Sequence, residues 1–198
     1  MKKLTSLIAE PEDIKTPQIW NYLTRSKVMG VVWSGLRIWL GIMWIQAGVA
    51  KLWGAENPAF MHNNGAGVAG FAAHGIAGYS WWASFLHGFV VPNSGWIGVL
   101  VALSEFLVGL GLAVGFLTPA AATVGALLNF TYIMSGTASV NAFYALIAII
   151  VLATWRTSSE IGIDGFIRAY RLSHGGKILN RQRTTILARE KRGTPEVV

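Results

Sequence analysis

The sequence has no cysteine, and only 13% of its 198 residues are charged, about half the share of a soluble globular domain. Without thiols the chain by itself has no disulfide, Cys-ligated zinc, iron–sulfur cluster, c-type haem attachment or thiol catalysis. So few charges and so many apolar residues exclude intrinsic disorder and a soluble coiled coil. No Lys or Arg stands between Lys51 and Arg156. A signal peptide is not expected, because after Met1-Lys2-Lys3 the apolar stretch is only Leu7-Ile8-Ala9 before Glu10-Pro11-Glu12-Asp13. No Ser-His-Asp order or paired-carboxylate site is legible. The glycines of 65–70 have the spacing of a dinucleotide loop but no preceding strand.

What is present is apolar: 53% hydrophobic residues and 23 glycines, against about 14 in an average chain of this size. The net charge is +7, and its placement argues against nucleic acid. Five basic residues fall in 1–27 and nine in 156–198. A basic-free centre between basic ends is the pattern of a multi-span membrane protein with both termini in the cytoplasm, its tail against anionic lipid heads. No basic–aromatic nucleic-acid module is present.

The expected fold is an all-α membrane protein, a four-transmembrane-helix bundle. Residues 1–27 form a cytoplasmic or interfacial lead-in, with Trp20 and Tyr22 suited to the headgroup zone. The transmembrane domain covers 28–156, with spans at about 28–50, 96–116, 119–135 and 139–155, and 157–198 form a basic cytoplasmic tail. The third and fourth spans are short for a bilayer. Residues 54–95 connect spans one and two on the outer side. Aromatics at helical spacing, from Tyr79 through Trp81, Trp82, Phe85 and Phe89, suggest a short interfacial or re-entrant helix lying over the bundle.

Two helix faces carry charge among small residues. Arg37, Gly41, Trp44, Gly48 and Lys51 share one face of the first span, and Gly98, Ala102, Glu105, Gly109 and Leu112 share one face of the second. Small residues let backbones approach, and an intramembrane charge faces a partner or a cavity. With Val49 and Trp96 taken as level outer ends, Arg37 lies roughly 18 Å deep and Glu105 roughly 14 Å deep. That predicts a buried Arg37–Glu105 ion pair, either a lock on helix register or the wall of a polar cavity for a proton relay or a quinone head. Lys51 is expected to snorkel to the headgroups, with anion binding as the other reading. Asn129, with Thr131 and Tyr132 close by, and Asn141 read as inter-helical glue or as ligand contacts. The four histidines, His62, His74, His87 and His174, fall outside the spans. That disfavours bis-His haem, and their spacing fits no metal motif. His87, after Trp81, Trp82 and Phe85, suits the mouth of a quinone site.

Arg37-x-x-Leu40-Gly41-x-x-Trp44-x-x-x-Gly48-x-x-Lys51 resembles the first-span signature of the DoxX/DoxD family of small membrane proteins. Glu105-x-x-x-Gly109-x-Gly111-Leu112-x-x-Gly115-Phe116-Leu117-Thr118-Pro119-Ala120 resembles the family's second span and turn, with Pro119 where a basic residue is common. Ser139-x-Asn141 and Gly162-Ile163-Asp164 resemble its fourth span and exit. The resemblance implies a four-helix protein of a prokaryotic cell membrane. Some relatives resemble the membrane subunit of thiosulfate:quinone oxidoreductase. It further implies membrane quinone as the one cofactor, with no haem, iron–sulfur cluster or metal, and an oxidoreductase role that depends on a partner.

Taken together, the candidate quinone- or substrate-binding residues are Arg37, Trp44, Lys51, Trp82, His87, Glu105 and Asn129, with Arg37 and Glu105 as the catalytic candidates. The expected partners are membrane lipid and a second subunit at the outer face or another copy of the chain. The alternative is a non-catalytic anchor or assembly scaffold for a redox partner, with the Trp-rich segment as its docking surface. A solute carrier ranks last, for want of paired broken helices.

Overall fold

The computed structural model describes residues 17–74 and 80–174. The start of the lead-in, Tyr79 and the basic tail from 175 onward lie outside them. Among the described residues the chain is helical and has no strand. The helices are α1 (Gln18–Arg25), α2 (Lys27–Leu52), α3 (Ala66–His74), α4 (Ser80–Phe85), α5 (Ser94–Val114), α6 (Thr118–Met134), α7 (Ser139–Ala153), α8 (Trp155–Ser158) and α9 (163–174). Single π-turns at Pro58–His62 and Leu86–Val90 join the pieces between α2 and α5.

Two of these helices, α2 with 26 residues and α5 with 21, are long and apolar enough to cross a membrane. The outward positions of the long helices are apolar and exposed, among them Val31, Leu103, Leu107, Leu127, Phe130, Leu146 and Ile149. Water would penalise such a perimeter, whereas hydrocarbon matches it. Inside hydrocarbon no hydrophobic force drives helix on helix, so close packing and polar bonds must hold the bundle.

Close packing is supplied by glycine. A Cβ on Gly41 would lie 2.5 Å from the backbone nitrogen of Ala113, one on Gly48 2.6 Å from that of Phe106, and one on Gly109 2.4 Å from that of Ile45. The α2 and α5 backbones therefore touch, antiparallel, along the face that carries Arg37, Gly41, Trp44 and Gly48, all of them buried. Around this seam Leu40, Trp44, Val108, Leu112, Ala122, Ile147, Ala148 and Val151 make the core, drawn from α2, α5, α6 and α7.

Polar bonds close one end of the bundle. The Arg37 guanidinium is fully buried and donates only to backbone carbonyls: Nε to Ser158 at 2.9 Å, Nη2 to Ile161 at 2.5 Å, and Nη1 to Leu112. Leu112 lies in the last turn of α5, where the helix dipole favours a cation. Next to it, Gly115 (φ 68°) and Leu117 (φ 49°) make a left-handed turn into α6. The Asp164 carboxylate accepts from the Leu117 and Thr118 amides at 3.0 and 2.8 Å and so caps α6 from another segment. Residues 157–164, which charge alone assigned to a basic tail, are thus built into the bundle, and Thr157, Ser158 and Ser159 are buried.

Candidate functional site

The described parts of the segment between α2 and α5 fold over the opposite end of the bundle. Their path follows from two tight contacts with the first turns of α5. A Cβ on Gly65 (φ 67°) would collide with the Ser94 carbonyl, and one on Gly98 would lie 2.8 Å from the Phe60 carbonyl. The Ser94 hydroxyl also donates to the Asn64 carbonyl at 2.8 Å. Across the bundle, Trp82 Nε1 on α4 donates to Ser135 Oγ, just past α6, at 3.1 Å. Between this cover and α2, α5 and α6 lies a cavity of about 470 Å³, within the ~300–1,000 Å³ range of small-molecule sites. Its walls are mainly apolar and aromatic, with Phe60, Phe71 and Phe85 among them.

One wall is charged. Lys51 Nζ lies 2.9 Å from Glu105 Oε2 and 3.4 Å from Glu56 Oε2. The Tyr132 hydroxyl donates to Glu105 Oε1 at 2.7 Å, and the Phe60 ring stands 5.2 Å from Lys51 Nζ. Side-chain exposure rises along this row, from 3% at Glu105 to 14% at Lys51 and 52% at Glu56. The row runs from the buried cavity wall to the protein surface.

Glu105 therefore pairs with Lys51, not with Arg37. Gly48 beside Phe106 and Gly41 beside Ala113 fix the helix register. In that register Arg37 lies roughly 18 Å along the axis from Glu105, beyond the reach of its side chain. Val49 and Trp96 are not level, because α5 starts about two turns beyond the end of α2 and spends those turns against Phe60 and Gly65. Lys51, expected to snorkel outward, instead turns inward to the carboxylate.

Five of the seven expected site residues, Trp44, Lys51, Trp82, Glu105 and Asn129, line the cavity. Arg37 and His87 do not. Arg37 binds carbonyls at the other end, and His87 is exposed on the π-turn after α4, whose inward residue is Leu86. Sequence reasoning named Tyr132 only as a neighbour of Asn129 and missed Phe71, whose ring meets Tyr132 edge-on at 5.7 Å. The signal for Tyr132 was present: Gly125, Asn129 and Tyr132 step by four and three and share one face of α6. Asn141, the other candidate asparagine, also lines the cavity, but its amide is taken by the Thr137 carbonyl at 2.8 Å. Among the described residues no group of His, Asp and Glu is arranged to hold a metal ion.

Fold and site define a helical membrane protein with a charged and aromatic cavity at one end. The DoxX family model matches residues 32–138, more than half of the chain, and the protein belongs to the DoxX family. That match holds the whole Lys51–Glu105–Tyr132 row. No curated protein and no solved structure matches the chain.

Proposed function

We propose that this chain is a four-span, quinone-binding subunit of a membrane redox complex, with both termini in the cytoplasm. It resembles the membrane subunit of thiosulfate:quinone oxidoreductase, and a partner on the outer face carries the sulfur donor. In this reading α2, α5, α6 and α7 are the spans. The basic residues at both chain ends face the cytoplasm, so the cavity opens toward the outer leaflet of a prokaryotic cell membrane.

The observation that carries this reading is the cavity, an aromatic chamber with one polar row on its wall. A lipid-soluble ring with carbonyl groups needs both features. The fit is supported by buried polar atoms of two other residues that line the cavity. Trp44 Nε1 and both polar atoms of Asn129 have no hydrogen-bond partner among the described residues. The chemistry a bound quinone supplies is two-electron, two-proton reduction to quinol. The chain's own residues bind the ring, exclude water and hold an exchangeable proton at the Tyr132–Glu105 pair, while Lys51 balances the Glu105 charge. Glu56 connects this row to the surface.

A second reading, a scaffold for a redox partner, draws on the aromatic run that leads from the cavity wall at Trp82 and Phe85 to the surface. Trp81, Trp82, Phe85, Phe89 and Trp96 contact one another in sequence, with ring centroids 5.3 to 6.3 Å apart. Trp81 is 61% and Trp96 53% exposed. Organic extraction and mass spectrometry of the detergent-purified complex separates the two readings. Stoichiometric quinone supports the redox subunit, and a co-purifying partner with no quinone supports the scaffold.

A further inference from the structure

The charged row accounts for only one pole of the cavity. Trp44 stands two turns before Lys51 on the same face of α2, about 10 Å away along the axis. Its indole is 4% exposed and Asn129 is wholly buried, yet neither Trp44 Nε1 nor the Asn129 amide atoms have a partner among the described residues. Both residues line the cavity. A donor or acceptor left unpaired away from water is costly, and three such atoms belong to two residues that line one cavity. On α6, a Cβ on Gly125 would lie 3.6 Å from Trp44 Nε1 and 3.1 Å from Val108 Cγ1, so the glycine leaves the space beside the indole nitrogen free of a side chain. Asn129 stands one turn further along the same face of α6.

We propose that Trp44 Nε1 and the Asn129 carboxamide form a second polar pole, which binds one carbonyl of a ring dicarbonyl while Lys51 binds the other. This deepens the quinone reading and rests on it. Two hydrogen bonds of about 2.9 Å with a six-membered ring between them cover a length similar to the rise between Trp44 and Lys51 along α2. The poles differ in chemistry. Lys51 brings an ammonium beside a carboxylate and a phenol, whereas Trp44 and Asn129 bring neutral donors. The two carbonyls of a bound ring are therefore inequivalent, with the more strongly hydrogen-bonded one at the Lys51 pole.

The test is infrared difference spectroscopy of a decyl-tailed benzoquinone carrying carbon-13 at one carbonyl or the other. It is bound to the full chain in phosphatidylcholine nanodiscs, and its affinity is measured in parallel. The wild type should show two distinct carbonyl bands, both lowered from the value in lipid. Trp44→Phe and Asn129→Leu should each return the same carbonyl toward the lipid value, leave the other in place, and weaken binding about three- to tenfold. Gly125→Ala keeps both side chains but puts a methyl beside the indole nitrogen, and it should shift the same carbonyl even if Trp44→Phe fails to fold. If the quinone binds and all three variants leave both bands and the affinity unchanged, the second pole is wrong and the quinone reading stands. If the wild type binds no quinone, both fall.

Discussion

Lys51 and Glu105 meet at 2.9 Å, one from the last turn of α2 and the other from the middle of α5, with Glu105 only 3% exposed. The contact is set by glycine. Gly48 lies one turn before Lys51 and brings the two backbones together at Phe106, the residue after Glu105. Removing one member of a buried pair strands the other charge, which costs about 3–5 kcal/mol.

The two members of the pair should not be equivalent. Lys51→Met leaves the Glu105 carboxylate with the Tyr132 hydroxyl alone and should lower stability by about 3 kcal/mol or more. Glu105→Gln leaves Lys51 beside the half-exposed Glu56 and should cost less than half as much. Thermal unfolding in detergent measures both. A larger loss for Glu105→Gln would contradict the arrangement of the row.

Arg37 should matter for stability and not for ligand binding. Arg37→Leu strands carbonyls of Leu112 and Ile161, and charge-assisted bonds are each worth about 1.5–3 kcal/mol. Arg37→Lys should not rescue it, because a single ammonium cannot serve carbonyls on separate segments as the forked guanidinium does. Quinone affinity of whatever folded Arg37→Lys protein is recovered should equal that of the wild type.

Two glycines of α2 should respond oppositely to alanine. Gly48→Ala would drive a methyl into the Phe106 backbone at 2.6 Å and should cost about 1–3 kcal/mol. A Cβ on Gly35 meets nothing within 4 Å, so Gly35→Ala should be neutral or raise stability by about 0.5–1 kcal/mol through helix propensity. Unfolding midpoints of the two variants, compared directly, check the seam between α2 and α5.

Asp164→Ala should cost about 1 kcal/mol, the usual loss for an N-cap, because the Leu117 and Thr118 amides lose their acceptor. Asp164→Asn, which keeps one acceptor oxygen, should recover part of it. Equal loss in both would mean that the carboxylate's charge, rather than its hydrogen bonds, holds the turn.

Much of this architecture was legible because helical periodicity is local. The spacing of Arg37, Gly41, Trp44 and Gly48 gave the buried face of α2, and that of Glu105, Gly109 and Leu112 gave the matching face of α5. The pairing of those faces was not legible. Register depends on which glycine meets which residue of the facing helix, Gly48 at Phe106 and Gly41 at Ala113, and no periodicity encodes that match. For the same reason Lys51 read as a surface residue and Arg37 as the partner of Glu105. His87 was misjudged because the aromatic spacing of 81–89 does not say which face is inward, and it is Leu86 that is buried while His87 is exposed.

The most direct test of the central claim is quinone content measured by extraction and mass spectrometry, with wild type compared with Ala47→Phe. Ala47 lines the cavity between Trp44 and Lys51 and belongs to neither polar pole, so a phenyl ring there fills the chamber without touching its charges. The account predicts near-stoichiometric quinone in the wild type and almost none in Ala47→Phe at comparable expression and unfolding temperature. Equal quinone in both proteins would show that it sits elsewhere on the chain, and the cavity would lose its assigned role.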